Sequence, residues 1–243
     1  MTDVKNRWVF ITGASRGIGR ETAKAMAALG ANLIIHCREA SHAEGIVKEL
    51  SSLTQVKVVA ADLGSETSTQ EMLGQIDSSG IQVDFIFNNA GMMSQYFPDA
   101  LSNTIGDLRL SWEVNFRAPV QIAYHFLPKM LRQKFGRIQM TVSDMENEPE
   151  LMAYACAKSA LFKFVKDFAR KLENTGVMMN AMNPGWTRTD LGGPKAPNAI
   201  DSVFPGALLG VLLDDQKSGR WFNAQDFNGF SIEKALESPL VKF

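Results

Sequence analysis

The segment RWVFITGASRGIG, Arg7–Gly19, decides the fold: a short apolar, β-branched run passes without a linker into a glycine-rich turn, and IGRETAKAMAALG continues from that turn at helical spacing. A strand feeding a helix through such a turn points the free N–H groups and dipole of the helix N-terminus at one spot, which attracts an anion. Gly13, Gly17 and Gly19 let the backbone approach a pyrophosphate, with Ser15 and Arg16 within the loop and Ile18 between the later glycines.

Outward from this segment the same alternation recurs. ANLIIHC, VKVVA, VDFIFN, GRIQMTV and GVMMNAM read as buried strands, GRWFNA as a seventh, and amphipathic stretches such as SHAEGIVKELSS lie between them. Strand, helix, strand repeated in this way predicts an α/β fold, a doubly wound parallel sheet of about seven strands with helices on both faces. No low-complexity tract or short repeat divides the chain, so residues 1–243 are expected to form one domain. The Gly- and Pro-rich stretch over about 186–205 lacks periodicity and is expected to be a substrate lid.

Composition narrows the function. With 45% hydrophobic residues in 243 the chain can bury a large core, and a net charge of −1 gives no electrostatic reason for a nucleic acid partner or an anionic membrane. No apolar run approaches the ~20 residues of a membrane span, and the N-terminus lacks a signal-peptide core, so a cytoplasmic protein is expected. Two cysteines, Cys37 and Cys156, without Cys/His clustering at metal-ligand spacing, predict neither a disulfide nor a metal. The expected partner is a small molecule.

In LMAYACAKSALFKF, Tyr154 and Lys158 stand four residues apart, hence on one face of a helix. A lysine charge there favours the ionised phenol, so the tyrosine can exchange a proton near neutral pH. The pair alone is also compatible with an ordinary helix carrying one buried aromatic and one solvated cation. Further motifs accompany it in order: NNAG (Asn88–Gly91) after the fourth strand, Asp62 and Leu63 after the third, Asn115 in WEVNFRAP, Ser143 at the end of the fifth strand, and NPGWTRTD (Asn183–Asp190) after the sixth.

From about Arg7 to Leu191 this ordered set resembles the short-chain dehydrogenase/reductase family, in its single-domain branch with a Rossmann fold. The resemblance implies that Tyr154 gives a proton to a substrate carbonyl, or takes it back, while hydride moves to or from a nicotinamide. It implies that Lys158 lowers the tyrosine's pKa and holds the ribose hydroxyls, that Ser143 orients the carbonyl oxygen, and that Asn115 supports a water relay to Lys158. The cofactor would be lined by Gly13, Ser15, Arg16, Gly17, Ile18, Gly19, Arg38, Asp62, Leu63, Asn89, Ala90, Gly91, Tyr154, Lys158, Pro184, Gly185, Thr187 and Thr189. One departure stands out: Ser143 precedes Tyr154 by fewer residues than is usual, and the shortened stretch DMENEPELMA is acidic.

Cofactor preference is set where the second strand ends, in LIIHCRE. Cys37 occupies the slot in which a carboxylate would bind a free 2′-hydroxyl, and Arg38 follows it. Arginine's planar donor set suits a 2′-phosphate, so Arg16 and Arg38 predict NADP(H). By family placement Met92, Met93, Tyr96, Met145, Met152 and Trp186 rim the pocket, which predicts an apolar ketone, aldehyde or alcohol as substrate. The acidic loop could discriminate against anionic substrates, or simply be solvated. The resemblance further implies a homodimer or homotetramer through the helices containing Asn115 and Tyr154. The alternative is a catalytically weak NADP(H)-binding regulatory or scaffold protein of the same fold.

Overall fold

The computed structural model describes residues 1–241. Its strands are β1 (Trp8–Ile11), β2 (Asn32–Cys37), β3 (Val56–Ala60), β4 (Val83–Asn88), β5 (Gly136–Thr141), β6 (Val177–Asn183) and β7 (Trp221–Asn223), one for each apolar run read from the sequence. They form one sheet in the order β3-β2-β1-β4-β5-β6-β7, every neighbouring pair parallel.

Parallel neighbours need crossovers, and these are helices α1 (Gly17–Ala28), α2 (Glu44–Leu50), α3 (Glu66–Ser78), α4 (Ile105–Trp112) continuing into α5 (Ala118–Gln133), and α6 (Met152–Leu172). Short helices α7 (Leu209–Leu212) and α8 (Ile232–Glu237) flank β7 in sequence, the latter capped by Ser231, whose hydroxyl accepts from the Lys234 amide.

Alternate residues of each strand enter opposite cores. Phe10 and Ile34 pack with Leu73 of α3, Phe126 of α5 and Leu161 of α6, whereas Val9, Ile11, Leu33 and Ile35 pack with Met26 of α1, Ile46 of α2 and Val211 of α7. With both sheet faces covered, β1, β2, β4 and β6 are largely apolar, while β5 buries Arg137 and Gln139 on hydrogen bonds to Asp214 and to the Ala207 carbonyl. Each buried Phe or Leu contributes about 1.5–3 kcal/mol from area removed from water.

Strand order reverses between β1 and β4, whose crossovers leave in opposite directions. At such a switch point the loops diverge beyond the carboxyl ends of the strands and leave a crevice. The loops bounding it are Thr12–Arg16 and Asn89–Gly91, both singled out in the sequence.

Candidate active site

Thr12 stitches the two walls of the crevice together. Its hydroxyl accepts from the amides of Asn89 and Ala90, each at 3.0 Å, while the Asn89 side chain donates to the Thr12 carbonyl at 3.1 Å. Gly19 lies so close beneath that a Cβ there would overlap the Gly13 carbonyl oxygen and stand 2.5 Å from Asn89 Nδ2. Helix α1 begins at Gly17, its preceding residue Arg16 makes no side-chain cap, and no acidic residue occupies the first turn. Its leading N–H groups are thus left for an anion.

The remaining predicted cofactor residues lie on the glycine loop and on the segments that follow β3 and β6. Ser15 is half-buried on the glycine loop, and Ile18 packs against Met182 and Val203 beyond it. After β3, Leu63 is buried and the Asp62 carboxylate accepts from the Gly64 amide at 2.9 Å, which fixes the turn. After β6, Gly185 donates to the Asn183 side chain at 3.1 Å, the Pro184 carbonyl accepts from Gln225 at 2.8 Å, and Thr187 is buried with its hydroxyl on the Pro184 carbonyl at 3.1 Å. Thr189 reaches the glycine loop, its methyl 3.6 Å from where a Cβ on Gly17 would lie.

At the end of β2, Arg38 is exposed and Cys37 is buried, its thiol donating to the Glu39 carbonyl at 3.0 Å. The Glu39 carboxylate turns to His42, 3.9 Å away, at the start of the next loop. Arg16 pairs with Asp190 at 2.9 Å, so the glycine loop and the stretch after β6 meet across the crevice through two exposed side chains.

The proton-transfer candidates converge at the other end. Tyr154 and Lys158 are both buried on one face of α6. Burial pushes the Tyr154 hydroxyl up to about 12, opposed by a hydrogen bond with the Ser143 hydroxyl, with the Asp144 charge adding to the rise. Ser143 also accepts from the Met145 amide at 3.3 Å, which orients its oxygen. Burial brings Lys158 down to about 8. Its ammonium donates to the Thr141 carbonyl at 2.8 Å, and it stands 5.9 Å from the centre of the Tyr154 ring. The opposed shifts bring the two groups' working ranges apart, burial being the larger cause for each.

Asn115 sits in a π-helical turn, Glu113–Arg117, between α4 and α5. Such a turn interrupts the regular ladder and commonly re-aims a side chain at a functional site. Here Asn115 is fully buried, its Oδ1 accepting from the Met92 amide at 3.1 Å and its Nδ2 donating to the Met92 carbonyl at 2.9 Å. Gly91 closes this corner: a Cβ on it would stand 3.1 Å from Asn115 Oδ1 and 3.5 Å from Lys158 Nζ. The structure therefore brings Gly91, Asn115, Lys158, Tyr154 and Ser143 together, while Arg16 lies on the glycine loop against Asp190 and Arg38 is exposed just after β2.

Sequence reading gave no role to two residues of this site. Thr12 carried a signal, standing directly before Gly13. His36 carried none, being one polar residue within the apolar run NLIIHC, yet it is buried against the glycine loop.

A crevice at the switch point of a seven-stranded parallel sheet, with a glycine loop on one wall and a Ser, Tyr and Lys cluster on the other, defines a nucleotide-dependent α/β enzyme fold. Residues 7–199 match the short chain dehydrogenase family, and the chain belongs to it. A short chain dehydrogenase of Pseudocercospora fijiensis is 31% identical over 223 residues, covering 89% of this chain and 71% of that protein. Among solved structures, 3-oxoacyl-[acyl-carrier protein] reductase from Brucella melitensis superposes with a TM-score of 0.81 at 24% identity, over 91% of this chain and 90% of the other. A short-chain dehydrogenase from Sphingobium yanoikuyae in complex with NADPH gives 0.78 at 22% identity, over 89% and 87%. Among the described residues no helix is long and apolar enough to cross a membrane.

Proposed function

We propose that the protein is an NADP(H)-dependent oxidoreductase that interconverts a ketone or aldehyde with its alcohol. The observation that carries this reading is the joint placement of Ser143, Tyr154 and Lys158, the serine hydroxyl close enough to the phenol to act on its proton and the ammonium one helical turn away, at the end of the crevice opened by the glycine loop.

The residues fit the cofactor. The uncapped N-terminus of α1 suits a pyrophosphate, the closeness at Gly19 keeps the loop tight, and Arg16 and Arg38 suit a 2′-phosphate where Cys37 offers no carboxylate. The Sphingobium relative, solved with NADPH, supports the same choice. NADPH, when bound, supplies the hydride.

Tyr154 donates its proton to the carbonyl oxygen as negative charge develops there, and Ser143 holds that oxygen by a hydrogen bond whose partner is already fixed. Lys158 holds the nicotinamide ribose and favours the ionised form of Tyr154 once the proton has gone. Asn115, anchored on Met92, supports a water relay through which a proton returns, by way of Lys158, to the Tyr154 phenolate. Thr187, Thr189 and residues 186–205 form the lid over the cofactor, tied to the glycine loop through the Arg16–Asp190 pair.

The pocket mouth carries Tyr96, Met152 and Trp186, all exposed, which suits an apolar substrate. Tyr124 of α5 packs edge-on with Phe164 and Phe168 of α6 and keeps 55% of its surface exposed, which suits a homo-oligomer contact on these helices. The test is a panel of apolar ketones, aldehydes and alcohols assayed with NADPH and NADP. Turnover with NADPH that Tyr154→Phe abolishes bears the reading out. Tight NADPH binding without turnover across the panel points instead to the regulatory or scaffold alternative.

A further inference from the structure

Ser111 stands in the last turn of α4, fully buried, and matches no motif. A serine inside a helix usually turns its hydroxyl back to the carbonyl four residues earlier. This one instead donates across to the Ala153 carbonyl of α6 at 3.0 Å. The same oxygen accepts from Asn115 Nδ2, also at 3.0 Å. Both amide protons of Asn115 are then engaged, one on Ser111 and one on Met92.

The hydroxyl thus ties together three elements that share no neighbouring sequence: the loop after β4 at Met92, the π-helical turn at Asn115, and the first turn of α6 directly before Tyr154. Leu151 ahead of α6 makes no side-chain cap, and the bonds just before the turn are backbone ones, Leu151 to the Glu148 carbonyl and Phe97 to the Glu150 carbonyl, so Ser111 supplies a side-chain anchor from outside α6.

We propose that Ser111 is a positioning residue for this active site, setting the rotamer of Asn115 and the location of Tyr154 relative to Gly91 and Lys158; this rests on the roles given above to Asn115 and Tyr154. Losing the hydroxyl leaves a buried Asn115 donor without a partner and frees the start of α6 to shift. A displacement of about 1 Å at a proton donor costs up to about a hundredfold in rate without weakening cofactor binding.

The experiment compares Ser111→Ala with the wild-type enzyme and with Ser111→Thr, which restores the hydroxyl. Hydrogen exchange at the Met92 amide and over the first turn of α6 should quicken about tenfold or more in Ser111→Ala, as expected for one lost buried hydrogen bond. With acetophenone and NADPH as probes, kcat should fall about tenfold or more while the KM for NADPH stays within about threefold. Ser111→Thr should recover both. Should the alanine variant fail to fold, Ser111→Cys keeps the volume while weakening the bond and gives the same readouts.

Unchanged exchange at both segments overturns the proposal, whatever the turnover, and so does quickened exchange with wild-type kcat. The reading of Tyr154 fails separately, by wild-type turnover of acetophenone in Tyr154→Phe run alongside.

Discussion

The amide of Gly13 donates to Nδ1 of His36 across 3.2 Å, so the glycine loop rests on a side chain from the neighbouring strand. Nδ1 must then be unprotonated, and Nε2, 3.1 Å from the Ala61 carbonyl, carries the ring's proton. Burial supports this neutral form, holding His36 down at about 4.

Because the folded pKa of His36 lies below the usual 6.5, the unfolded chain binds a proton that the folded one refuses between about pH 4 and 6.5. This contribution to stability is complete above pH 6.5 and is lost as pH falls toward 4, by up to about 3 kcal/mol. Thermal melts from pH 7 to 4.5 should show the loss, and His36→Gln should flatten that slope. A slope unchanged in His36→Gln would assign the acid sensitivity elsewhere.

Tyr154→Phe should abolish carbonyl reduction with NADPH affinity unchanged within a few fold, since only the proton donor is removed. Ser143→Ala should cost about 10²–10³ in kcat, the usual loss for one donor to a developing oxyanion. Steady-state kinetics with fluorescence titration of NADPH separates the two effects. A Ser143→Ala enzyme with wild-type kcat would remove Ser143 from the mechanism.

Lys158 is buried beside no carboxylate among the described residues, and its folded pKa of about 8 lies below its usual 10.5. Between those values the unfolded chain holds the extra proton, so stability rises with pH across that window and the full cost of the buried charge is present at pH 7. Lys158→Met should therefore raise the melting temperature at pH 7 by a few degrees, at about 2–4 °C per kcal/mol for a domain of this size, while abolishing turnover. A lowered melting temperature at pH 7 would show that the bond to Thr141 outweighs the desolvation.

Arg38→Asp should raise the KM for NADPH far more than that for NADH, because the new carboxylate repels a 2′-phosphate and accepts from a free 2′-hydroxyl. Asp190→Asn should release Arg16 and lower the KM for NADPH only a few fold, as befits an exposed pair. Equal effects of Arg38→Asp on both cofactors would place 2′-phosphate recognition elsewhere.

The apolar runs declared the strands because the inner strands of a sheet covered on both faces are rich in apolar residues, although Arg137, Gln139 and Asn180 are buried among them on side-chain hydrogen bonds, and the glycine loop declared the crevice because its spacing has a backbone cause. Tyr154 and Lys158 were legible as a pair for the same reason, their spacing being that of one helix face. His36 and Ser111 were not. Each acts through a hydrogen bond to a segment remote in sequence, Ser111 to Ala153 and His36 to Gly13 and Ala61, and neither belongs to a local pattern. The Arg16–Asp190 contact joins positions 174 apart and is invisible for the same reason. The effect of burial on Tyr154 also lay beyond the sequence, where the helix spacing to Lys158 suggested only a lowering.

The sheet order has a consequence for how the protein is made. On the ribosome β1, β2 and β3 emerge first and can pair among themselves, but the crevice has one wall until Val83–Asn88 docks along Trp8–Ile11. Its far end is missing until Met152–Leu172 has been synthesised and packed. The glycine loop, Arg38 and Asn89–Gly91 are therefore all in place before the end that carries Ser143, Tyr154 and Lys158, so the phosphate-facing part of the crevice precedes its proton-transfer end in synthesis. On the finished molecule, NADPH at a hundredfold excess over Kd adds about 2.7 kcal/mol. Cellular cofactor supply should therefore lengthen the survival of the mature protein.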